Sequence, residues 1–203
     1  VNEAINLCIQ HISAYSLSYE KRTVLEKMRN SGKLSEISDN LSAEMFKLLQ
    51  NKLKNADFEH YEISNYCKSN FHSRHNSGYW QMADYLGVGA SAHSFNGEKR
   101  SWNIADIEKY CAGIERGEKI FEFEILTPQE KYNDFIFLSL RTKNGIDLQK
   151  LKENFGEKPL EYCLSCAKKY LTANKMVLDH NYLKINENAI IISDMIMSDF
   201  MQL

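Results

Sequence analysis

Residues Phe58–Phe95 read FEHYEISNYCKSNFHSRHNSGYWQMADYLGVGASAHSF and contain four of the six histidines of the chain. An HNxxYW element occupies residues 75–80 of this stretch, and the small-residue run GVGASA follows at residues 87–92. Ring nitrogens, aromatic rings and small residues are more concentrated here than the packing of a core requires. The stretch therefore predicts the wall of a binding site for a large ligand that is flat or charged.

The first half of the chain has a pattern of alternating strands and helices. HISAYSL at residues 11–17 alternates in polarity and predicts a strand, and residues 58–63 predict a second strand. Strand, helix and strand in this order favour a parallel α/β layer. So few strands cannot complete a sheet or a barrel, and we expect a further part of the protein upstream of Val1. The helix between the two strands has apolar residues at helical spacing: Leu41, Met45, Leu48, Leu49 and Leu53.

The second half of the chain has mainly helical signals. Residues 103–117 predict a helix, and TPQE at residues 127–130 is a capping box that opens another helix. A helix at 159–174, a hairpin at 177–185 and a closing helix complete a winged-helix-like arrangement. We therefore predict three parts: a barrel portion at residues 1–98, a connecting helix and linker at 99–125, and a mainly helical domain at 126–203.

The composition is that of an ordinary globular protein, with 43% hydrophobic and 26% charged residues. A formal net charge of −2 does not provide the basic surface that nucleic-acid binding requires. No apolar run is long enough to cross a membrane, and the five cysteines are an odd, scattered set, unlike a secreted disulfide framework. These features predict reduced thiols, a cytoplasmic location and no nucleic-acid partner.

The run at residues 87–92 formally satisfies G-x-G-x-x-A, the fingerprint of dinucleotide-binding folds. That fingerprint opens a helix, whereas here the turn signal Asn96-Gly97 follows within a few residues, so we reject this interpretation. A strand of small residues instead permits the close approach of another backbone or of a ligand. Tight packing and ligand binding both stay open from the residues alone.

The histidines and cysteines allow more than one interpretation. Cys67, His72 and His75 could be drawn as a zinc site, but the paired ligands of such sites are missing. Solvated loop histidines are the alternative, above all for His72. Aromatic residues follow His75 in the HNxxYW element, and imidazole with aromatic rings suits a porphyrin, whose iron takes axial histidine. Cys163 and Cys166 form a CxxC spacing in the middle of a predicted helix, where packing is the more ordinary role.

Three blocks of the sequence carry a family resemblance. They are HISAYSLSYE at 11–20, YEISNYC…HNSGYW…DYLGVGASAHSF at 61–95, and FIFLSLRTKNGIDL at 135–148. Together with the closing helix around Ser193 and Asp194, they are distributed over essentially the whole chain and resemble the oxygen-independent coproporphyrinogen III oxidase-like radical SAM family. The HNxxYW element resembles the heme-chaperone branch of that family, because the oxidase branch has a different sequence at this place.

The resemblance implies an α/β fold: the C-terminal part of a partial (β/α) radical SAM barrel, followed by a mainly helical, winged-helix-like C-terminal domain. Family members hold a [4Fe–4S] cluster in a CxxxCxxC loop and bind S-adenosylmethionine. The chain does not contain that motif, and Cys163 and Cys166 lie in the distal domain. We therefore expect the cluster cysteines upstream of Val1 and no metal site in this chain. The chain would then be the C-terminal half of such a protein, as an expressed fragment or a shortened natural product.

The same resemblance implies two sets of site residues. It associates the HNxxYW element with heme, which makes heme-contact candidates of His75, Asn76, Tyr79 and Trp80, with His75 first. It places the small-residue run beside S-adenosylmethionine in the full-length protein. Histidine at the end of this run is normal for the chaperone branch and replaces an apolar residue of the oxidase branch. The candidates near S-adenosylmethionine are Gly89, Ala90, Ser91, Ala92 and His93.

The resemblance favours a heme-binding chaperone that captures heme and delivers it to an acceptor protein, with peripheral membrane contact left open. The alternative is an enzyme for the oxidative decarboxylation of coproporphyrinogen III by a 5′-deoxyadenosyl radical, for which this chain is expected to be inactive. Heme or porphyrin is the expected ligand. Nucleic acid is disfavoured, because only Lys168, Lys169 and Lys175 lie near the recognition helix of the winged-helix-like part. An unfinished sheet also leaves an edge through which a homodimer could form.

Overall fold

The computed structural model describes residues 1–202, and they separate into two compact units, one of residues 1–73 and one from residue 74 onward. Helices and strands are mixed in both units. The three predicted parts have their boundaries at residues 98 and 125, where the character of the sequence changes. These boundaries stay a prediction, and neither is the boundary between the two compact units. Each unit is described by itself below.

The first unit contains one three-stranded sheet and three helices. The sheet has the strand order β1-β3-β2, and the longest helix lies between its first two strands in the chain. The elements are α1 (Asn2–Asn6), β1 (His11–Ser13), α2 (Val24–Asn30), α3 (Asp39–Asn55), β2 (Glu59–Glu62) and β3 (Asn65–Cys67).

The predicted parallel layer is wrong in this unit, because β3 pairs antiparallel with both β1 and β2. A two-residue turn at residues 63–64 folds the chain back on itself, so β3 occupies the side of β2 on which β1 would otherwise pair. Strand β1 is also shorter than predicted. It ends at Ser13, and Tyr15 and Leu17 are 70% and 63% exposed.

The helix predicted between the first two strands is α3. It begins after Ser38, whose Oγ accepts a hydrogen bond from the backbone N of Leu41 at 3.3 Å, as a helix N-cap does. Of its apolar residues only Leu53 is fully buried, where it packs with Phe58 and Tyr66. The core of the first unit is therefore small, and the outer face of α3 is apolar yet exposed, at Leu41, Met45 and Leu48.

The second unit contains two three-stranded antiparallel sheets, with strand orders β4-β5-β6 and β7-β9-β8. Its first elements are α4 (Arg74–Trp80), β4 (His93–Phe95), β5 (Lys99–Asn103), α5 (Ile107–Arg116) and β6 (Phe121–Ile125). They are followed by α6 (Pro128–Leu140), β7 (Ile146–Asp147), α7 (Leu148–Phe155), α8 (Glu157–Thr172), β8 (Met176–Asp179), β9 (Tyr182–Ile185), a 3-10 helix (Glu187–Ile192) and α9 (Ser193–Asp199).

Two local predictions for this unit differ from the structure. The helix expected from Asn103 begins only at Ile107, because Asn103 ends strand β5 and Asp106 caps the helix. Strand β6 was not predicted. Its sequence FEFEI alternates in the manner of a strand with one apolar and one charged face.

The capping box at the start of α6 is confirmed. The Thr127 Oγ1 accepts from the backbone N of Glu130 at 3.2 Å, and a Glu130 carboxylate oxygen accepts from the backbone N of Thr127 at 2.7 Å. Helix α6 is amphipathic, and its buried side chains are Tyr132, Phe135, Ile136 and Leu140. The predicted hairpin is present as β8 and β9, and β7 adds a third strand beside β9. No helix within residues 1–202 is long and apolar enough to span a bilayer.

Candidate functional site: an exposed histidine beside a row of aromatic rings

Helix α4 carries all four residues predicted to contact heme. His75 and Tyr79 lie four positions apart on one face of the helix, with ring centroids 4.8 Å apart and ring planes at 84°. His75 is exposed, whereas Tyr79 is partly buried. The imidazole is therefore open to solvent and has an aromatic ring at its side.

The His75 and Tyr79 rings belong to a longer series of neighbouring aromatic rings, which we call the aromatic row. Its members are His75, Tyr79, Tyr85 and Phe95. Tyr79 meets Tyr85 edge to face at 4.7 Å, and Tyr85 lies 6.0 Å from Phe95. The backbones of Tyr85 and Phe95 exchange two hydrogen bonds, each 2.9 Å long, and these fix the intervening loop. Burial raises the pKa of Tyr85, so its phenol stays neutral at physiological pH. The row thus runs from an exposed imidazole to a buried phenyl ring.

Trp80 and Asn76 lie differently from His75. The Trp80 ring has the Arg141 guanidinium over it at 4.9 Å from the ring centroid, and its Nε1 is buried without a hydrogen-bond partner within the described residues. Asn76 is partly buried. The structure therefore brings His75 and Tyr79 together at the surface, while Trp80 packs against the end of α6.

The small-residue run at residues 87–92 is not a strand, contrary to the strand of small residues expected from the sequence. Strand β4 begins only at His93, and Gly89 and Ser91 have φ angles of 111° and 61°. A side chain at Gly87 would approach the His93 carbonyl oxygen to 2.1 Å, so glycine here allows two backbone segments to meet. Asn103 holds this loop, because its Nδ2 donates to the Gly87 and Gly89 carbonyl oxygens at 3.3 and 2.8 Å.

A pocket of about 380 Å³ lies on the sheet next to this loop. His93, Trp102 and Glu122 are neighbours across the three strands β4, β5 and β6. The Trp102 Nε1 donates to a Glu122 carboxylate oxygen at 3.2 Å, and the His93 and Trp102 rings are 6.2 Å apart. Of the five residues predicted near S-adenosylmethionine, Ser91 and His93 line the pocket. The complete lining is Ser91, His93, Trp102, Asn103, Ile104, Ala105 and Glu122.

Sequence reasoning missed Tyr85, Trp102 and Glu122. Trp102 of β5 and Glu122 of β6 are a pair across the two strands. The FEFEI alternation could have placed Glu122 on one face of a strand. Their proximity to His93 depends on the antiparallel register of three strands, which no local pattern reports.

The first unit has a polar cluster of its own. The His11 Nε2 and the Tyr61 hydroxyl are 2.7 Å apart, and the Tyr61 ring meets His72 edge to face at 4.6 Å. Desolvation by burial lowers the pKa of His11. Next to it the buried Asn65 accepts from Ser13 Oγ at 2.5 Å and donates to a carboxylate oxygen of the buried Glu62. The hydrogen bonds of this cluster join its own side chains, which favours a structural role over an open ligand site.

Metal ligands are not assembled in the part of the chain that the structure describes. Across residues 1–202, no three His, Cys, Asp or Glu side chains are grouped so as to hold a metal ion. Cys67 and Cys163 are buried, and burial raises the pKa of both thiols, that of Cys163 to about 12. These donors fit neither the zinc alternative nor an iron–sulfur cluster.

Known proteins are similar to this chain in sequence and in fold. The family model of the HemN C-terminal domain matches residues 126–192. Heme chaperone HemW of Bacillus subtilis is 32% identical over 157 residues, which are 77% of this chain and 41% of that protein. Heme chaperone HemW of Lactococcus lactis is 30% identical over 155 residues, 76% of this chain and 41% of that protein. The mitochondrial radical S-adenosyl methionine domain-containing protein 1 of Danio rerio is 42% identical over 93 residues, 46% of this chain and 21% of that protein.

The fold is similar to that of coproporphyrinogen III oxidase (HemN) from Escherichia coli, described as a radical SAM enzyme. The TM-score is 0.74, over 98% of this chain and 49% of that one, at 13% sequence identity. The fold and the sequence together define a radical SAM protein of the HemN type. The chain belongs to the HemN/HemW-like radical SAM family and corresponds to its C-terminal portion. It spans about two fifths of the length of the curated relatives named above from Bacillus and Lactococcus.

Proposed function

We propose that this chain contributes the heme-binding surface of a heme chaperone and that His75 is the axial ligand of the heme cargo. The observation that carries the proposal is the exposed imidazole of His75, set against Tyr79 at the open end of the aromatic row. Relatives that are 30–32% identical over about three quarters of the chain are named heme chaperones. Their names support heme as the ligand of this chain.

The chemistry of this surface suits heme. Histidine is the common axial ligand of heme iron, and it must present a ring nitrogen that is free of other partners. The His75 imidazole makes no hydrogen bond within the described residues. The aromatic row offers apolar ring surface to the porphyrin edge or face. Trp80, which packs under Arg141, would hold α4 in place rather than touch the cargo.

The experiment is a titration of the purified chain with ferric heme, followed by the Soret band. His75→Ala should weaken heme binding about tenfold or more, because the coordinate bond is lost. It should also shift the Soret maximum towards that of heme without axial histidine. The matched control is His180→Ala, which removes an exposed histidine from the β8–β9 hairpin. Equal spectra and affinities for the His75 and His180 variants would remove His75 from the proposal.

The full-length protein would contain more than this chain shows. We propose that the chain completes a partial (β/α) barrel and that its C-terminal helices form a winged-helix-like cap. In that protein a [4Fe–4S] cluster and S-adenosylmethionine would be bound, and the complete chaperone would act in the cytoplasm. S-adenosylmethionine supplies a 5′-deoxyadenosyl radical when it is cleaved at such a cluster. The sulfonium of that cofactor is cationic, and the Trp102 ring beside Ser91 and His93 suits a cation. Gly89, Ala90 and Ala92 would shape the loop beside it.

Delivery of heme to an acceptor protein, with or without a membrane surface, follows as a proposal from the names of the relatives. Homodimerisation would be tested by the elution volume of the chain in gel filtration. The alternative activity, oxidative decarboxylation of coproporphyrinogen III, is that of the solved structural relative, and 13% identity supports the fold alone. Anaerobic turnover of coproporphyrinogen III by the cluster-loaded full-length protein would favour that alternative.

A further inference from the structure

Strand β6 is an open edge of its sheet. It pairs with β5, and no other strand lies beside it within residues 1–202. At one end of this ladder, the Ile104 N–H donates to the Ile120 carbonyl oxygen at 2.9 Å. At the other end, the Leu126 N–H donates to the Glu98 carbonyl oxygen at 3.0 Å. Because hydrogen-bonded pairs alternate along an antiparallel ladder, Glu122 and Glu124 also direct their backbone groups at β5. The backbone N–H and C=O groups that face away from β5 are therefore those of Phe121, Phe123 and Ile125.

The same three residues expose large apolar side chains. Phe121, Phe123 and Ile125 are 43%, 46% and 63% exposed, and they lie on one face of the sheet because they alternate along the strand. The Lys119 ammonium lies over the Phe121 and Phe123 rings, at 5.2 and 4.9 Å from their centroids. An unpaired strand edge with exposed apolar residues is a site for pairing with another strand.

The opposite face of β6 is acidic. Glu122 and Glu124 point there, and Asp134 of α6 adds a third carboxylate, bonded to Arg100 at 2.5 Å. Arg100 also pairs with Glu124 at 3.2 Å, whereas the Glu122 carboxylate accepts a hydrogen bond from the neutral Trp102 N–H. Three carboxylates therefore face one guanidinium. A strand added at this edge would need apolar residues on one face and cationic residues on the other.

We propose that the β6 edge binds an extended segment of a partner protein in which apolar residues alternate with lysine or arginine. Main-chain hydrogen bonds to Phe121, Phe123 and Ile125 would provide the pairing, as in other cases of strand addition. The apolar residues of the segment would cover the exposed rings, and its cations would lie opposite Glu122 and Glu124. This surface is separate from the proposed axial ligand His75 and does not depend on heme binding.

A second copy of this chain fits the edge less well. Antiparallel pairing of two β6 strands about Phe123 would place Glu122 of one copy directly opposite Glu124 of the other. The two carboxylates would form a non-hydrogen-bonded pair, in which side chains approach most closely, and like charges in such pairs are destabilising. A basic segment replaces this repulsion by attraction.

The test uses the full 203-residue chain. The probe is a fluorescein-labelled heptapeptide of alternating valine and lysine, and binding is followed by fluorescence anisotropy. Saturable binding is expected, and a valine–glutamate peptide of the same length should bind about tenfold more weakly or not at all. Glu122→Lys should weaken binding of the valine–lysine peptide, whereas Glu161→Lys, an equal charge change at an exposed site of α8, should not.

The backbone contribution has its own variant. Phe123→Pro removes an N–H that faces away from β5, so the existing ladder keeps its hydrogen bonds, and proline is tolerated at such edge positions. Phe123→Pro should bind the valine–lysine peptide about tenfold more weakly than the original chain, whereas Phe123→Leu should keep most of the affinity. If Phe123→Pro does not fold, valine–lysine peptide that is N-methylated at every second residue should show the same loss with the unaltered chain.

Three outcomes would overturn the proposal. The first is equal binding of the lysine and glutamate peptides, and the second is the absence of saturable binding. The third is unchanged affinity both of Phe123→Pro for the valine–lysine peptide and of the unaltered chain for the N-methylated peptide. A dimer of the chain that Phe123→Pro dissociates would instead assign the edge to a second copy. Each of these results is independent of the heme titration, because none of the altered residues belongs to the aromatic row.

Discussion

Both units contain a histidine beside a tyrosine, but the two pairs differ in what the imidazole is committed to. In the first unit, His11 is partly buried and its Nε2 lies 2.7 Å from the Tyr61 hydroxyl, within a cluster that also contains Glu62. In the second unit, His75 is exposed and meets Tyr79 only through ring contact. An imidazole with a hydrogen-bond partner is fixed and structural, whereas an uncommitted one can ligate a metal. The same pair of residue types therefore supports different functions.

The largest effect is expected in the buried cluster of the first unit. Asn65 is 1% exposed and links Ser13 to Glu62, so Asn65→Ala should leave a buried carboxylate with one fewer donor. We expect a loss of about 3 kcal/mol in the free energy of unfolding. Urea denaturation measures it, with Asn51→Ala at an exposed site of α3 as the control. A loss no larger than that of the control would show that the cluster contributes little to stability.

A smaller effect is expected in the aromatic row. Tyr79→Ala should weaken heme binding about fivefold, because one edge-to-face aromatic contact contributes about 1 kcal/mol. The titration that tests His75 also measures this change. Tyr182→Ala, at an exposed tyrosine of strand β9, is the matched control. Unaltered heme affinity of the Tyr79 variant would confine the site to the His75 imidazole.

The pH dependence of stability should report His11. Burial lowers the pKa of His11 in the folded chain, so the unfolded chain binds its proton more tightly. The resulting stabilisation is present above about pH 6.5, the ordinary pKa of histidine. It is lost as the pH falls through that value towards the lower folded pKa. His11→Gln should flatten this part of the profile of unfolding free energy, and His180→Gln should not. Parallel profiles for the original chain and His11→Gln would contradict the assignment.

The smallest effect is expected at Trp80. Trp80→Phe keeps an aromatic ring beneath Arg141 and removes one of the two fused rings with a buried N–H that has no hydrogen-bond partner within residues 1–202, so heme affinity should change less than about twofold. Soret titration checks this. A loss as large as that of His75→Ala would place Trp80 in contact with the cargo and contradict its role in holding α4.

Much of the local structure could be predicted. The capping box at Thr127 and Glu130 joins groups three residues apart, so its geometry depends on the sequence nearby. The alternation at β2 and the helical spacing of α3 gave two elements near their observed positions. The prediction of a parallel layer was wrong because the turn at residues 63–64 inserted β3 between the two strands.

The candidate site was predicted in part. The HNxxYW element identified His75 and Tyr79 as site residues, but helix α4 was not predicted, because this region was expected to be a loop. The helix places the two residues on one face, since four residues make about one turn. Tyr85 could not be added, because its place beside Tyr79 depends on two backbone hydrogen bonds to Phe95, ten residues away. His93, Trp102 and Glu122 likewise meet only through the register of three strands.

Taken alone, the amino-acid order determined the family and the capping box of α6, since each depends on residue identities or on contacts within about one helical turn. Tertiary structure decided which histidine is exposed, which strands are neighbours and which edge is left open. These properties arise from contacts between residues far apart in the chain, whose free energies depend on the burial and hydrogen bonding of the whole unit.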